Sequence, residues 1–329
     1  MEKRVETLTT HAAKDMFSRR EFLRKAAMLS VAGTVAPIMA AEESPEEDAI
    51  AAWDRETELV SPADFAAYRR DGRTRGFASL EKLEAAFAKV MREVKETVVT
   101  GDVPAVWSVY NMGYIVKTRE SLFSIDLYHR RAVEFVPMLD FALVTHNHGD
   151  HWRPDFYEAM DGAHKTVVSN FLDNYGAVEW RTVGDVKMPF GGGFARGART
   201  FRFKDVEVRT SLIDHNRYLI NFTMAFEIRI GGFILYHTGD SGAGTEPKLR
   251  TVWGRPDLWL FFPGCGIDTA KAVAKVNAKR IVFGHLWELG HKQRHRGRLD
   301  ERLIRPRLVW AKEAGCKDVS VAFWGDRIS

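Results

Sequence analysis

Apolar positions recur along this chain with two different periods. Between Ser79 and Thr97, residues Leu80, Leu83, Phe87, Val90, Met91 and Val94 fall at helical spacing with Lys and Glu on the other face, which predicts an amphipathic helix over 79–97. Beyond it the pattern changes to short runs rich in Val, Ile, Phe, Trp and Tyr. The runs 106–116, 121–126, 141–145, 165–169, 200–203, 206–211, 224–230, 233–237, 258–262, 280–283 and 319–324 read as strands. Helical stretches fall between them at 171–177, 270–277 and 303–315. Residues 41 to about 76 carry Trp53, Phe65 and Tyr68 without a long periodicity and read as a wrapping segment with short helices. Many strands with helices interspersed predict an α/β protein of two mixed sheets covered by helices. No internal repeat or low-complexity linker interrupts it, so a wrapping segment and helix at 41–100 are expected to lead into one domain at 101–329.

The first forty residues depart from this pattern. Ser18-Arg19-Arg20-Glu21-Phe22-Leu23-Arg24-Lys25 precedes an uncharged stretch from Ala26 to Ala41 containing Met28, Leu29, Val31, Val35, Ile38 and Met39. The arrangement resembles a twin-arginine export signal. Its core is too short and too poor in Leu and Ile to span a membrane. Cleavage is expected after Ala40, and the absence of Cys there argues against a lipid anchor. The resemblance implies export of the folded protein by the twin-arginine machinery, a periplasmic or secreted location and no stable membrane anchor.

Composition adds exclusions. With 45% hydrophobic and 28% charged residues the chain is a folded globular protein, and two cysteines exclude both a disulfide framework and a four-thiolate zinc site. The net charge of +4 resides mostly in the predicted signal, which holds seven of the 48 basic and four of the 44 acidic residues. Its removal leaves a nearly neutral chain, so nucleic acid is not an expected partner.

Any metal must therefore rely on His and carboxylates. Thr145-His146-Asn147-His148-Gly149-Asp150-His151 follows the apolar run Phe141-Ala142-Leu143-Val144 and crowds three imidazoles and a carboxylate at a strand end. Without a cation such a cluster accumulates positive charge on any protonation. Its nitrogen and oxygen donors suit zinc, iron or manganese. His215 in Ser211-Leu212-Ile213-Asp214-His215, Asp240 in Tyr236-His237-Thr238-Gly239-Asp240-Ser241-Gly242 and His285 in Ile281-Val282-Phe283-Gly284-His285 each follow another strand-like run.

Taken together, these four motifs resemble the metallo-β-lactamase superfamily over about residues 105–290. The resemblance implies a four-layer αββα sandwich and two divalent metal ions, zinc first, with manganese or iron as alternatives. It assigns His146, His148 and His215 to one ion and Asp150, His151 and His285 to the other, with Asp240 bridging. Paired cations lower the pKa of a shared hydroxide towards neutrality and so supply a nucleophile for ester, phosphodiester or lactone cleavage. In this scheme Asp150 and Asp240 are the catalytic carboxylates, and Asp150 or a water protonates the leaving group.

Asp240 stands where many zinc β-lactamases have Cys, and the third motif lacks the Pro-Gly-His-Thr run of glyoxalase II relatives. Gly113-Tyr114-Ile115-Val116, the Tyr236 to Ser241 run and Phe262-Pro263-Gly264 look more like the branch of L-ascorbate-6-phosphate lactonase and N-acylphosphatidylethanolamine phospholipase D. A non-hydrolytic metal-binding or redox protein on the same fold and a nuclease are the rival readings.

Leu286 to Arg298 is basic, and His291, Arg294 and His295 are substrate candidates for a small anionic molecule, against a solvated loop. His237 is a candidate for orienting a ligand. Gly191 to Gly197 lacks the P-loop lysine and hydroxyl and reads as a turn. Tyr110, Trp152, Phe171, Tyr175 and Trp180 could wall a pocket or fill the core. Cys265 and Cys316 match no ligand position and read as buried thiols or an extracytoplasmic disulfide.

Overall fold

A computed structural model describes residues 45–171, 179–183, 186–190, 199–290 and 299–329, which fall in one compact unit, Pro45–Ser329. The expected export signal, the expected helix at 172–177, the expected turn at Gly191–Gly197 and the substrate candidates His291, Arg294 and His295 lie outside the described residues, as does Tyr175.

The N-terminal segment forms α1 (Pro45–Glu56), α2 (Pro62–Asp71) and α3 (Ala78–Glu96). Ser61 caps α2 ahead of Pro62, and Gly72 ends it in the left-handed conformation. The expected stripe on α3 is buried through Leu80, Leu83, Phe87, Val90 and Val94, while Met91 packs at its margin.

The first sheet has the order β1 (Ala105–Tyr110), β2 (Gly113–Lys117), β3 (Leu122–Ile125), β4 (Phe141–Leu143), β5 (Thr166–Val168). Its first three strands are antiparallel and its last three parallel. The run 106–116 is thus two strands, joined by a buried turn at Asn111-Met112 in which Asn111 takes a positive φ. Then come α4 (Pro154–Gly162) and a hairpin of β6 (Glu179–Val183) and β7 (Val186–Phe190).

The second sheet contains β8 (Thr200–Phe203), β9 (Val206–Ile213), β10 (Thr223–Ile230), β11 (Phe233–His237), β12 (Leu258–Phe261), β13 (Arg280–Phe283) and β14 (Asp318–Val321). Its order is β14-β13-β12-β11-β10-β9-β8, parallel from β11 to β14 and antiparallel from β8 to β11. Two helices complete the chain, α5 (Thr269–Val276) and α6 (Glu301–Glu313).

β1, β3 and β12 are buried at every position, which requires cover on both faces of each sheet. One cover is the other sheet: Phe123 and Phe141 stack at 4.6 Å, and Phe141 meets Phe203 of the second sheet at 3.9 Å. The outer cover is helical, α3 against β1 and α4 against β5 on one side, α6 against β14 with α5 beside it on the other. This is the four-layer αββα sandwich.

The wrapping segment closes one end. Trp53 packs among Trp287, Phe323 and Trp324 at centroid distances of 4.9–6.1 Å, and Asp54 accepts from Trp287 Nε1 at 3.0 Å.

Candidate metal centre

Successive strands deliver their carboxyl ends to one edge of the sandwich, where irregular backbone can present side chains inward. β3 leads into Asp126, β4 into the 145–151 loop, β9 into His215, β11 into Asp240, β12 into Cys265 and β13 into His285. Asp126, Cys265 and His285 all have positive φ, a cost that clusters at functional sites.

All seven expected metal residues come together there. Histidines 146, 148 and 215 form one group, Asp150, His151 and His285 another, and His146, His151 and Asp240 link them, with the donor atoms of each group within 4.8 Å. Asp240 divides its carboxylate between the halves. Its Oδ1 lies 3.3 Å from His151 Nε2 and 3.6 Å from His285 Nε2, while Oδ2 lies 3.5 Å from His215 Nε2. Asp150 Oδ2 accepts from His285 Nε2 at 3.0 Å. Most of these residues are buried, but His148 and Asp150 are half-exposed and mark the mouth.

Nε2 of His146, His151 and His215 and Oδ1 of Asp240 are buried without a hydrogen-bond partner among the described residues. Native interiors rarely tolerate such orphans unless a water or ion satisfies them. Four converging nitrogen and oxygen donors suit a divalent transition metal, so the residues fit the cofactor implied by the motifs.

The electrostatics agree. Burial and the neighbouring His151 charge push His146 well below the ordinary imidazole value. Burial alone would also lower His151, yet the carboxylates of Asp240, Asp150 and Asp126 carry it well above. Burial would lower His285, yet the charge of Asp240, the hydrogen bond that His285 donates to Asp150 and the charge of Glu288 raise it from 6.5 to about 9. Burial opposes ionisation of Asp150 and Asp240, but His151 and His285 hold both low, Asp150 at about 2. Excess carboxylate therefore draws protons onto two imidazoles, the charge that a cation would otherwise supply.

One expected outcome follows for metal-free protein. Between pH 6.5 and about 9 folded His285 keeps a proton that the unfolded chain has released, so stability falls as pH rises through this window. Thermal melts in chelator across that range test this, and a Tm that climbed with pH would contradict it.

Asp126 and Phe222 carried no expectation. Asp126, fully buried, accepts from Thr145 N at 2.7 Å through Oδ1. Through Oδ2 it meets Thr145 Oγ1 at 2.7 Å, His151 Nδ1 at 2.9 Å and His237 Nε2 at 3.4 Å. His237 thus contacts Asp126, rather than orienting a metal-facing histidine directly. Phe222 stands 5.2–5.9 Å from the rings of His146, His148 and His215 and forms a wall. Tyr110 is core, and its hydroxyl accepts from Leu289 N. Phe171 is buried against the half-exposed Trp152.

Both cysteines are free, Cys316 buried and Cys265 half-buried. Cys265, which matches no ligand position of the sequence motifs, nonetheless groups its thiol with His215 and Asp240. Burial, then the charges of Asp240, Asp150 and Glu288, push that thiol well above its ordinary value. Gly242 allows the approach, since a Cβ there would lie 1.7 Å from the carbonyl oxygen of His215 and 2.9 Å from that of Cys265.

No family model matches the chain. A UPF0173 metal-dependent hydrolase of Staphylococcus saprophyticus is 30% identical over 115 residues, 34% of this chain and 49% of that protein. The match thus spans about half of the relative's length. Among solved structures, Igni18, a metallo hydrolase of the archaeon Ignicoccus hospitalis, is 14% identical with a TM-score of 0.47, over 68% of this chain and 97% of that one. The metallo-β-lactamase fold protein YhfI of Bacillus subtilis is 15% identical with a TM-score of 0.45, over 68% and 98%. Similarity at these scores adds no argument, and the assignment of the sandwich stands on its strand order and layers.

Proposed function

We propose that this chain is an exported, metal-dependent hydrolase with a dinuclear centre, cleaving an ester, phosphodiester or lactone in a small anionic substrate. The observation that carries the reading is Asp240, one carboxylate with its two oxygens turned to two separate sets of imidazoles. The name metal-dependent hydrolase borne by the staphylococcal relative supports it.

Bound divalent ions, zinc first, would supply Lewis acidity and an activated water at neutral pH. His146, His148 and His215 would hold one ion and Asp150, His151 and His285 the other, with Asp240 between. The remaining work belongs to the chain. Asp126 accepts a hydrogen bond from His151 Nδ1 and Thr145 Oγ1 lies 2.9 Å from His146 Nδ1, so both rings aim Nε2 into the centre. Asp150, at the mouth and held ionised beside His285, is placed to take up a proton from water and pass it on to a leaving group. Phe222 excludes water from one side of the histidines. Arg217, exposed and 4.6 Å above the Tyr218 ring on the loop beside His215, offers a cation to an anionic substrate.

Export rests on the twin-arginine pattern, with the mature protein in the periplasm or secreted. Among the described residues, no helix is long and apolar enough to cross a membrane. One experiment tests the whole reading: metal analysis of protein recovered from the exported fraction, with its mass, then a screen of phosphodiesters, phosphomonoesters, lactones and β-lactams. The expected result is a mature chain starting at Ala41, two equivalents of metal, and hydrolysis that stops on chelation and returns with zinc. A metal-replete protein that cleaves none of them while holding a redox-active iron pair would refute the hydrolase.

A further inference from the structure

We propose that the Cys265 thiol is a sulfur donor to the metal centre, on its His215–Asp240 side. The inference rests on the dinuclear reading above and adds to it a soft ligand that the His and Asp motifs do not contain.

The thiol sulfur, a ring nitrogen of His215 and a carboxylate oxygen of Asp240 lie within 4.8 Å of one another. In a tetrahedral site, zinc–nitrogen bonds of about 2.0–2.1 Å and zinc–sulfur bonds of about 2.3 Å put the donors roughly 3.6 Å apart, so side-chain rotation by about an ångström completes the set. His215 and Asp240 are 7% and 5% exposed, and His215 Nε2 and Asp240 Oδ1 have no hydrogen-bond partner among the described residues. The Cys265 sulfur likewise forms no disulfide and no hydrogen bond among them.

The backbone holds this juxtaposition. Gly242 N donates to Asp214 O at 2.9 Å and Ala243 N to Cys265 O at 3.0 Å, so one short segment ties the loop after β9 to the loop after β12. Binding breaks the S–H bond, forms a sulfur–metal bond and releases the proton to solvent, with no electron transferred. A thiolate favours zinc, cobalt or cadmium over manganese and magnesium, which narrows the choice of metal left open by His and Asp alone.

The test uses the full mature protein, stripped of metal, and its Cys265→Ser variant, which keeps the side-chain volume. Proton release on saturation with zinc, followed with an indicator dye at pH 7, is expected to be one equivalent greater in the wild type than in Cys265→Ser, because only the thiol has an S–H proton to lose. Cobalt(II) loading is expected to give visible d–d bands in both proteins but a near-ultraviolet sulfur-to-cobalt charge-transfer band in the wild type alone. Visible bands without the charge-transfer band in the wild type, or persistence of that band in Cys265→Ser, would overturn the sulfur ligand and leave the His and Asp centre standing. Absence of any cobalt band together with equal proton release from the two proteins would overturn both.

Discussion

Asp240→Ala is expected to abolish loading of the metal pair and, with it, hydrolysis. The carboxylate is 5% exposed, and its two oxygens lie 3.3–3.6 Å from Nε2 of His151, His285 and His215. No other described side chain stands between the two imidazole groups in this way, so truncation removes a donor from both halves at once. Partners one layer further out are typically worth about 10–100-fold in metal affinity or activity, and loss of a shared donor should exceed that range. Truncation also removes the negative charge that chiefly raises His151 and contributes most to raising His285, so both rings lose protons more readily in the metal-free variant. The fold should survive, because Asp240 follows β11 and lies outside the strand ladder. Metal content by mass spectrometry and turnover on the best substrate decide the matter. Full occupancy with wild-type-like turnover would remove Asp240 from the shared position.

The contrast between Asp240 and Asp126 shows what could be read from the chain alone. Each ligand-bearing motif follows an apolar run, and HxHxDH crowds too many donors at one strand end to be an ordinary loop. Those residues could be placed before any coordinates, along with the α3 stripe and most strands. Asp126 closes the run Leu122 to Ile125 in the same manner, yet one carboxylate at a strand end is common. Its meaning comes from His151 and His237, which lie 25 and 111 residues away in sequence.

Cys265 was missed for a related reason, since only the turn at Gly242 brings it to His215. The hairpin turn at Asn111-Met112 was read through as strand because it is buried between two apolar strands, although Asn111, at positive φ, and Gly113 mark it. The helix α4 escaped because it is nine residues long, too short for a period to declare itself, although Pro154 stands at its first turn.

Asp126→Asn is the second change with a large expected effect, acting through orientation rather than coordination. Burial favours the neutral acid, but the charges of His151 and His237 and their hydrogen bonds hold Asp126 well below the ordinary carboxylate range, so it is an acceptor at both oxygens. Thr145 N–H donates to one oxygen, while Thr145 Oγ1, His151 Nδ1 and His237 Nε2 crowd the other. An amide cannot accept at both ends. If its NH2 replaces Oδ1 it confronts the Thr145 N–H. If it replaces Oδ2, His151 Nδ1 must become the acceptor, and its proton moves to Nε2, the atom that faces the centre.

Because Asn keeps the volume of Asp, no cavity complicates the comparison. The expected cost is about 10–100-fold in metal affinity, concentrated in the half that contains His151, Asp150 and His285. Competition with a chromophoric chelator resolves the two binding steps and shows which is weakened. A variant that loses thermal stability but keeps both affinities would show that Asp126 serves the fold alone. Selective weakening of one step would place it as the residue that sets the direction of His151.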